Sequence, residues 1–280
     1  MARRLYYNVW ESIVTYGAPV WARAANTDKN RKKQKRAQRT ALCITTTAYR
    51  TVSYAVFCVL TGNLPIYIKI QMLGETYERK IHGSRIGADD GSKLKEEPEA
   101  IRKNAQEKCQ KEWNNYKKEN VTRKLIPSAH LFTKEKMDID HRTMQLLTGH
   151  GSFGVYRKRI GKNSDSNCLD CGDPNDDAEH ALFACPKWTD RRIELENALG
   201  EKIDVDNLIA TVTANNESRD KFRQFCRTVM SHRRVTGKAL EEARRRTRAT
   251  TTARSSDGRG IRQQRTAEGD QPSILNWLRR

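Results

Sequence analysis

The chain has 280 residues, room for one large domain or two modest ones, but only 36% are hydrophobic and 31% are charged, so a packed core does not run its whole length. Lys and Arg total 53 against 34 Asp and Glu, a formal charge of +19 that favours polyanions and makes nucleic acid the first expected partner.

The start is basic, Met1 to Arg4, but Asn8, Glu11 and Ser12 follow where a secretory leader needs an apolar stretch. Leu5, Val9, Ile13 and Tyr16 follow helical spacing, and "YGAP" at Tyr16 to Pro19 stops that helix. From Lys29 to Arg39 come seven bases without an acid, on a helix whose apolar positions are Ala37, Ala41 and Ile44. The apolar run Val52 to Leu60 is too short to span a bilayer, which excludes a membrane anchor there. Ser53 is placed to cap a short helix ending at Gly62. Pro65 opens another with Ile66, Ile70, Leu73, Tyr77 and Ile81 as its stripe.

Residues 83 to 98 read as an exposed loop. From Pro98 a charged helix carries Ile101, Ala105, Cys109, Trp113 and Tyr116 on one narrow stripe. A helix from about Lys134 to Leu147 stops at Gly149. "GHGSFGVYRKRIG" then leads into a cysteine cluster, after which helices are expected near Trp188 to Leu199 and Phe222 to Met230. Residues 231 to 265 hold eleven Lys and Arg against three acids with little apolar content, which predicts a disordered tail or one that orders on binding.

"CLDCGDPNDDAEHALFAC" spaces Cys168, Cys171, His180 and Cys185 as C-x2-C-x8-H-x4-C. The first pair makes a knuckle in which both sulfurs reach one ion, and Gly172 follows where such a turn often needs a left-handed residue. The seven cysteines are odd in number and no leader precedes them. An intracellular, nuclear or cytoplasmic setting follows, in which clustered thiols serve metal more readily than disulfides. One structural zinc with no open position is expected. The loop itself is anionic (Asp170, Asp173, Asp176, Asp177, Glu179), so phosphate contacts fall to flanking bases, Arg157, Lys158, Arg159, Arg191 and Arg192, with Phe153 and Tyr156 as candidate stacking rings. Lys32, Lys33, Lys35, Arg36 and Arg39 in the first cluster, and Arg244, Arg245 and Arg246 in the tail, complete the candidate nucleic-acid contacts.

No catalytic group emerges. "GADDG" at Gly87 to Gly91 lacks the apolar strands that a metal-binding aspartate pair needs, and "DIDH" at Asp138 to His141 reads as a solvated helix face. His150, between two glycines, reads first as structural.

The stretch "LTGHGSFGVYRKRIG…CLDCG…AEHALFACPKW" closely resembles the region beyond the polymerase in non-LTR retrotransposon reverse transcriptases, above all the arthropod group that inserts into ribosomal RNA genes. "LYYNVWESIVTYGAPVWA" and "QKRAQRTALCITTTAYRTVSYAVFCVLTGNLPI" are similar to the thumb and connection of the same family. The resemblance covers about residues 5 to 82 and 129 to 192. It implies a C-terminal fragment or decayed copy of a polyprotein with polymerase and endonuclease activity, the catalytic domains being absent, and it carries the family's metal ligands onto Cys168, Cys171, His180 and Cys185.

The expected fold is mainly α. It comprises a thumb-like helical region (1–82), a charged connector (83–128), a zinc module with flanking helices (129–200), a helical extension (201–230) and a basic low-complexity tail (231–280). The expected function is binding RNA or DNA, as template or target, alongside the rest of the polyprotein. A protein-interaction module held by zinc and an enzyme of undetected type are the rival readings.

Overall fold

A computed structural model describes residues 2–86, 93–116, 121–129 and 139–263, with side chains over 5–81, 98–116, 121–129 and 139–247. The chain divides into two units, Met1–Arg233 and Arg234–Arg280. Among the described residues there are helices and no strand, so the mainly α expectation holds. No single helix among them is long and apolar enough to cross a membrane.

In the first unit α1 (Ala2–Thr15) ends before Gly17, whose φ of 66° turns the chain into α2 (Ala18–Ala25). The basic helix α3 (Asp28–Thr46) starts on Thr27, whose hydroxyl accepts the Asn30 N–H at 3.4 Å. It stops at Thr47, a branched residue at φ 52°, and the His141 ring, 2.7 Å from the Thr47 carbonyl, ties down that turn. The histidine of "DIDH" is thus a structural clamp; Asp138 lies outside the described residues, as does "GADDG".

α4 (Tyr54–Thr61) is capped by Ser53 and ended by Gly62 as expected, and α5 (Ile66–Ile86) begins just after Pro65. α6 (Lys93–Asn114) starts five residues ahead of the expected Pro98, so helix occupies both ends of the segment read as loop. Its stripe Ile101, Ala105, Cys109 and Trp113 is buried. α7 (Val121–Leu125) and α8 (His141–Thr148) follow; α8 is shorter than expected, its cap being Asp140, whose carboxylate accepts the Thr143 N–H at 2.8 Å. α9 (Gly154–Arg159), α10 (Thr189–Leu199) and α11 (Leu208–Thr213) lead to α12 (Asn216–Gln263). The segment from 231, expected to be disordered or to order only on binding, is helix up to Gln263: Ala, Arg, Lys and Glu are good helix formers, and few apolar residues do not forbid a helix.

The core of the first unit gathers Leu42, Phe57, Leu60, Trp113, Ile126, Leu147, Phe153, Leu182, Phe222 and Val229. A smaller cluster of Ala18, Ala25, Ile66 and Ile70 joins α2 to α5. The N-terminal stripe turned out opposite to a core face. Leu5, Val9, Ile13 and Tyr16 are 63%, 50%, 70% and 87% exposed, while Tyr7 and Glu11 on the other side are buried.

One buried amide pins this bundle. Gln38 of α3, fully buried, donates to the Tyr7 hydroxyl at 2.8 Å and to the Leu64 carbonyl at 2.9 Å. Its oxygen accepts the Ile66 N–H at 2.8 Å and the Tyr54 hydroxyl. Gln38 therefore satisfies the start of α5 and links α1, α3 and α4 through one side chain. Replacing it by Leu leaves the Ile66 N–H and Leu64 carbonyl without partners in the interior. Gln38→Leu is expected to lower stability by about 2–4 kcal/mol in urea unfolding, with an unchanged helical circular-dichroism spectrum before the transition.

Candidate metal centre and basic surface

Local sequence shapes the cysteine site. The knuckle closes through a Gly172 N–H donated to the Cys168 carbonyl at 2.9 Å, with Gly172 at φ 81°, the left-handed conformation its position called for. Asp177 caps the following turn, its carboxylate accepting the His180 N–H at 2.8 Å. His180–Ala184 form a single π turn, so the Cys185 N–H reaches back five residues to the His180 carbonyl at 2.7 Å. That wider turn brings His180 and Cys185 to the knuckle.

The four ligand atoms of Cys168, Cys171, His180 and Cys185 all lie within 4.8 Å of one another. Cys168 and Cys185 sulfurs are 4.0 Å apart, Cys171 and Cys185 sulfurs 3.9 Å, and the Cys171 sulfur is 3.3 Å from His180 Nε2. A tetrahedron with metal–sulfur bonds of ~2.3 Å sets its sulfurs about 3.8 Å apart, so the residues fit one ion and the cluster can hold a metal. Asp173 lies 3.7 Å from His180 Nδ1, a carboxylate behind the imidazole of the kind that orients a ligating histidine. Burial pushes the Cys168 thiol up to about 12, with Arg233 acting in the other direction.

The site is bound into the fold by residues that spacing did not flag. Asp176, in the acidic loop, is 2% exposed and pairs with Arg233 of α12, 3% exposed, at 2.7 Å. The Asp176 carboxylate also accepts the Gly154 N–H at 2.7 Å. A Cβ on Gly154 would come 2.4 Å from the Ser166 carbonyl oxygen, so only glycine lets α9 start flush against the loop. Arg233 also sits 5.1 Å over the Phe153 ring and 3.8 Å from the Cys168 sulfur. One residue earlier, His232 lies 2.7 Å from Asp170 inside the knuckle and edge-on to Trp188. A lone basic residue at the edge of a basic stretch gives no sequence signal of such a role.

The candidate nucleic-acid residues divide by environment. Phe153 and Tyr156 are 1% and 6% exposed, so neither offers a ring to a base: Phe153 fills the core beneath Arg233, and the Tyr156 hydroxyl meets that of Thr51 at 3.1 Å. Arg157 is buried and donates to Asn163 at 3.1 Å. Arg192 donates to the carbonyls of Leu182, at 2.7 Å, and Cys185, at 3.1 Å, clamping the π turn. Arg39 donates to the carbonyls of Arg50 and Val52, and Lys35 lies 4.8 Å over the Tyr67 ring. These bases serve the fold because their stems lie on helix faces that pack. Lys32, Lys33, Arg36, Lys158 and Arg159 are exposed, as is Arg191, which pairs with Glu194 at 2.8 Å. In the second unit Arg245 and Arg246 are exposed and Arg244 is half-buried. His150 is structural: its Nδ1 lies 2.8 Å from the Thr148 carbonyl, and burial, reinforced by Arg159, holds the imidazole below its ordinary value.

No family model matches the chain, and no solved structure matches it significantly. Curated relatives do. Over 251 residues it is 27% identical to a Retrovirus-related Pol polyprotein from type-1 retrotransposable element R1 4 of Nasonia vitripennis, covering 85% of this chain and 62% of that one. Over 243 residues it is 28% identical to a putative 115 kDa protein in type-1 retrotransposable element R1DM of Drosophila melanogaster, covering 83% and 24%. Over 199 residues it is 30% identical to an R1 Pol polyprotein of Bradysia coprophila, covering 67% and 19%. The chain thus spans 62% of the first relative's length and less of the other two. Most of it is homologous to a region of such polyproteins.

Removing one member of a buried ion pair strands the other. Arg233→Leu is expected to destabilise the protein by about 3–5 kcal/mol in denaturant titration, and to speed loss of bound metal to a chelator while all four ligands remain. Asp176→Asn, which keeps shape but not charge, should produce the same two effects more weakly.

Proposed function

From homology to a region of R1-type retrotransposon Pol polyproteins, we propose that this chain binds RNA or DNA, positioning template or target for the polymerase of such an element, without catalysis of its own. The observation that carries the reading is the outer face of α3. Lys29, Lys32, Lys33 and Arg36 recur at i, i+3, i+4 and i+7, and all four are exposed. The opposite face is fixed by buried Gln38, Ala41 and Leu42, so the bases cannot rotate inward. A rigid row of cations on a chain of charge +19 suits a phosphate backbone and says nothing of base sequence.

The metal is zinc in this reading. Three thiolates and one imidazole are its usual structural donors, and four protein ligands leave no position for substrate or activated water. Zinc staples the loop between α9 and α10. Its acids keep that loop from gripping phosphate, and the compartment is intracellular, where thiols stay reduced. A second reading has its own observation: the exposed stripe Leu5, Val9, Ile13 and Tyr16, which extends to Val20 at 91% exposure, fits a protein surface such as another part of a polyprotein.

Elemental analysis of the purified chain should find about one zinc. Cys171→Ser should release it and loosen the region between residues 150 and 192 in hydrogen exchange; metal-free, well-folded protein would overturn the assignment. Oligonucleotide affinity should fall steeply with added salt. Lys33→Ala should weaken binding alike for all sequences and flatten the salt slope by about one unit. Salt-independent binding, or none, would leave the protein-surface reading in its place.

A further inference from the structure

A groove of about 570 Å³ belongs neither to the cysteine site nor to the α3 face. It lies where the residues leading into α4, the short α7, the Gly149–His150 turn, α9 and the segment just ahead of His180 meet. Its volume is that of a small-ligand site. Its walls mix apolar side chains, Val52, Val56, Val121, Ile160 and Ala178 among them, with hydroxyls and charged groups. Tyr116 also lines it, its ring stacked on Trp113 at 5.5 Å and 7°. Inside, the paired hydroxyls of Thr51 and Tyr156 offer hydrogen bonds.

The charges around it are uneven in availability. Glu179 is held by Lys124 at 2.7 Å, and the Asp177 carboxylate accepts the His180 N–H at 2.8 Å. Arg159 lines the groove and is exposed. The groove therefore combines apolar side chains, several hydroxyls and one exposed cation, Arg159.

We propose that this groove takes one unpaired nucleotide of a single-stranded RNA or DNA, its base against the apolar side chains and its phosphate toward Arg159. The inference rests on the nucleic-acid reading above and adds a strand preference to it. A nucleotide is apolar and flat on one side and anionic on the other, which matches this division of the groove. A base paired in a duplex cannot enter without leaving its stack. The hydroxyls face base edges or a ribose, whereas α3 meets backbone phosphates of any strand.

The test uses the full chain and labelled oligonucleotides of one length, single-stranded oligo(U) and oligo(dT) and mixed-sequence duplexes. Val155→Trp fills the groove from a lining residue that is 38% exposed. Arg159→Ala removes its cation and keeps the protein testable should Val155→Trp fail to fold. Val155→Trp is expected to weaken single-strand binding about tenfold, the scale of one stacked base, and to leave duplex binding unchanged; Arg159→Ala is expected to weaken single strands more than duplexes. Lys33→Ala, on α3, should weaken both alike. A 2-aminopurine inside the single strand should change emission on binding the native chain and not Val155→Trp. Losses larger for oligo(U) than for oligo(dT) would assign a ribose contact; equal losses would assign base and phosphate alone. If the groove variants weaken single strands and duplexes equally, or neither, the groove is not the site while the nucleic-acid reading stands. If the native chain binds no oligonucleotide, both fall.

Discussion

The buried pair between Asp176 and Arg233 is the constraint on which the cysteine-rich part of the molecule depends. Two charges withdrawn from water are costly unless each finds further partners. Asp176 has them in the Gly154 N–H and the Arg233 guanidinium, and Arg233 in the carboxylate, the Phe153 face and the Cys168 sulfur. The acidic loop, the start of α9 and α12 up to Arg233 are therefore one assembly. The clamp of Arg192 on the π turn and the contact of His232 with Asp170 hold the same loop from two other sides.

This arrangement decides how charge is used. A loop with five acids beside three thiols is a poor surface for phosphate, and two bases that reach it, Arg192 and Arg233, are spent on carbonyls and a carboxylate within the fold. What remains for a polyanion lies elsewhere, on α3, near the end of α9 and, in the second unit, along α12. In the proposed function a metal in the cysteine site would supply position and rigidity, and contact with a polyanion would fall to exposed helix faces such as that of α3.

The N-terminal bundle obeys a related rule. Gln38 is polar and central, and it is tolerated because all its hydrogen-bonding capacity is used. By fixing the inward face of α3 it fixes the outward one. Apolar residues follow the reverse course on α1: a stripe with helical spacing stays exposed because Tyr7, Trp10 and Glu11 on the other face, tied by hydrogen bonds and by Lys69 at 2.6 Å from Glu11, pack better against α3 and α5.

By itself the sequence determined what depends on neighbours in the chain. The ends of α4 and α8 at Gly62 and Gly149, the stripe of α6 and the clustering of Cys168, Cys171, His180 and Cys185 were all legible, because caps, helical period and residue spacing are local. Tertiary structure alone decided which face of an amphipathic helix turns inward, so the α1 stripe and the rings of Phe153 and Tyr156 could not be placed from their spacing. It also decided which charges are consumed. Asp176 and Arg233 are 57 residues apart, and nothing local distinguishes either from the acids and bases around it until the fold brings them into one dry interior.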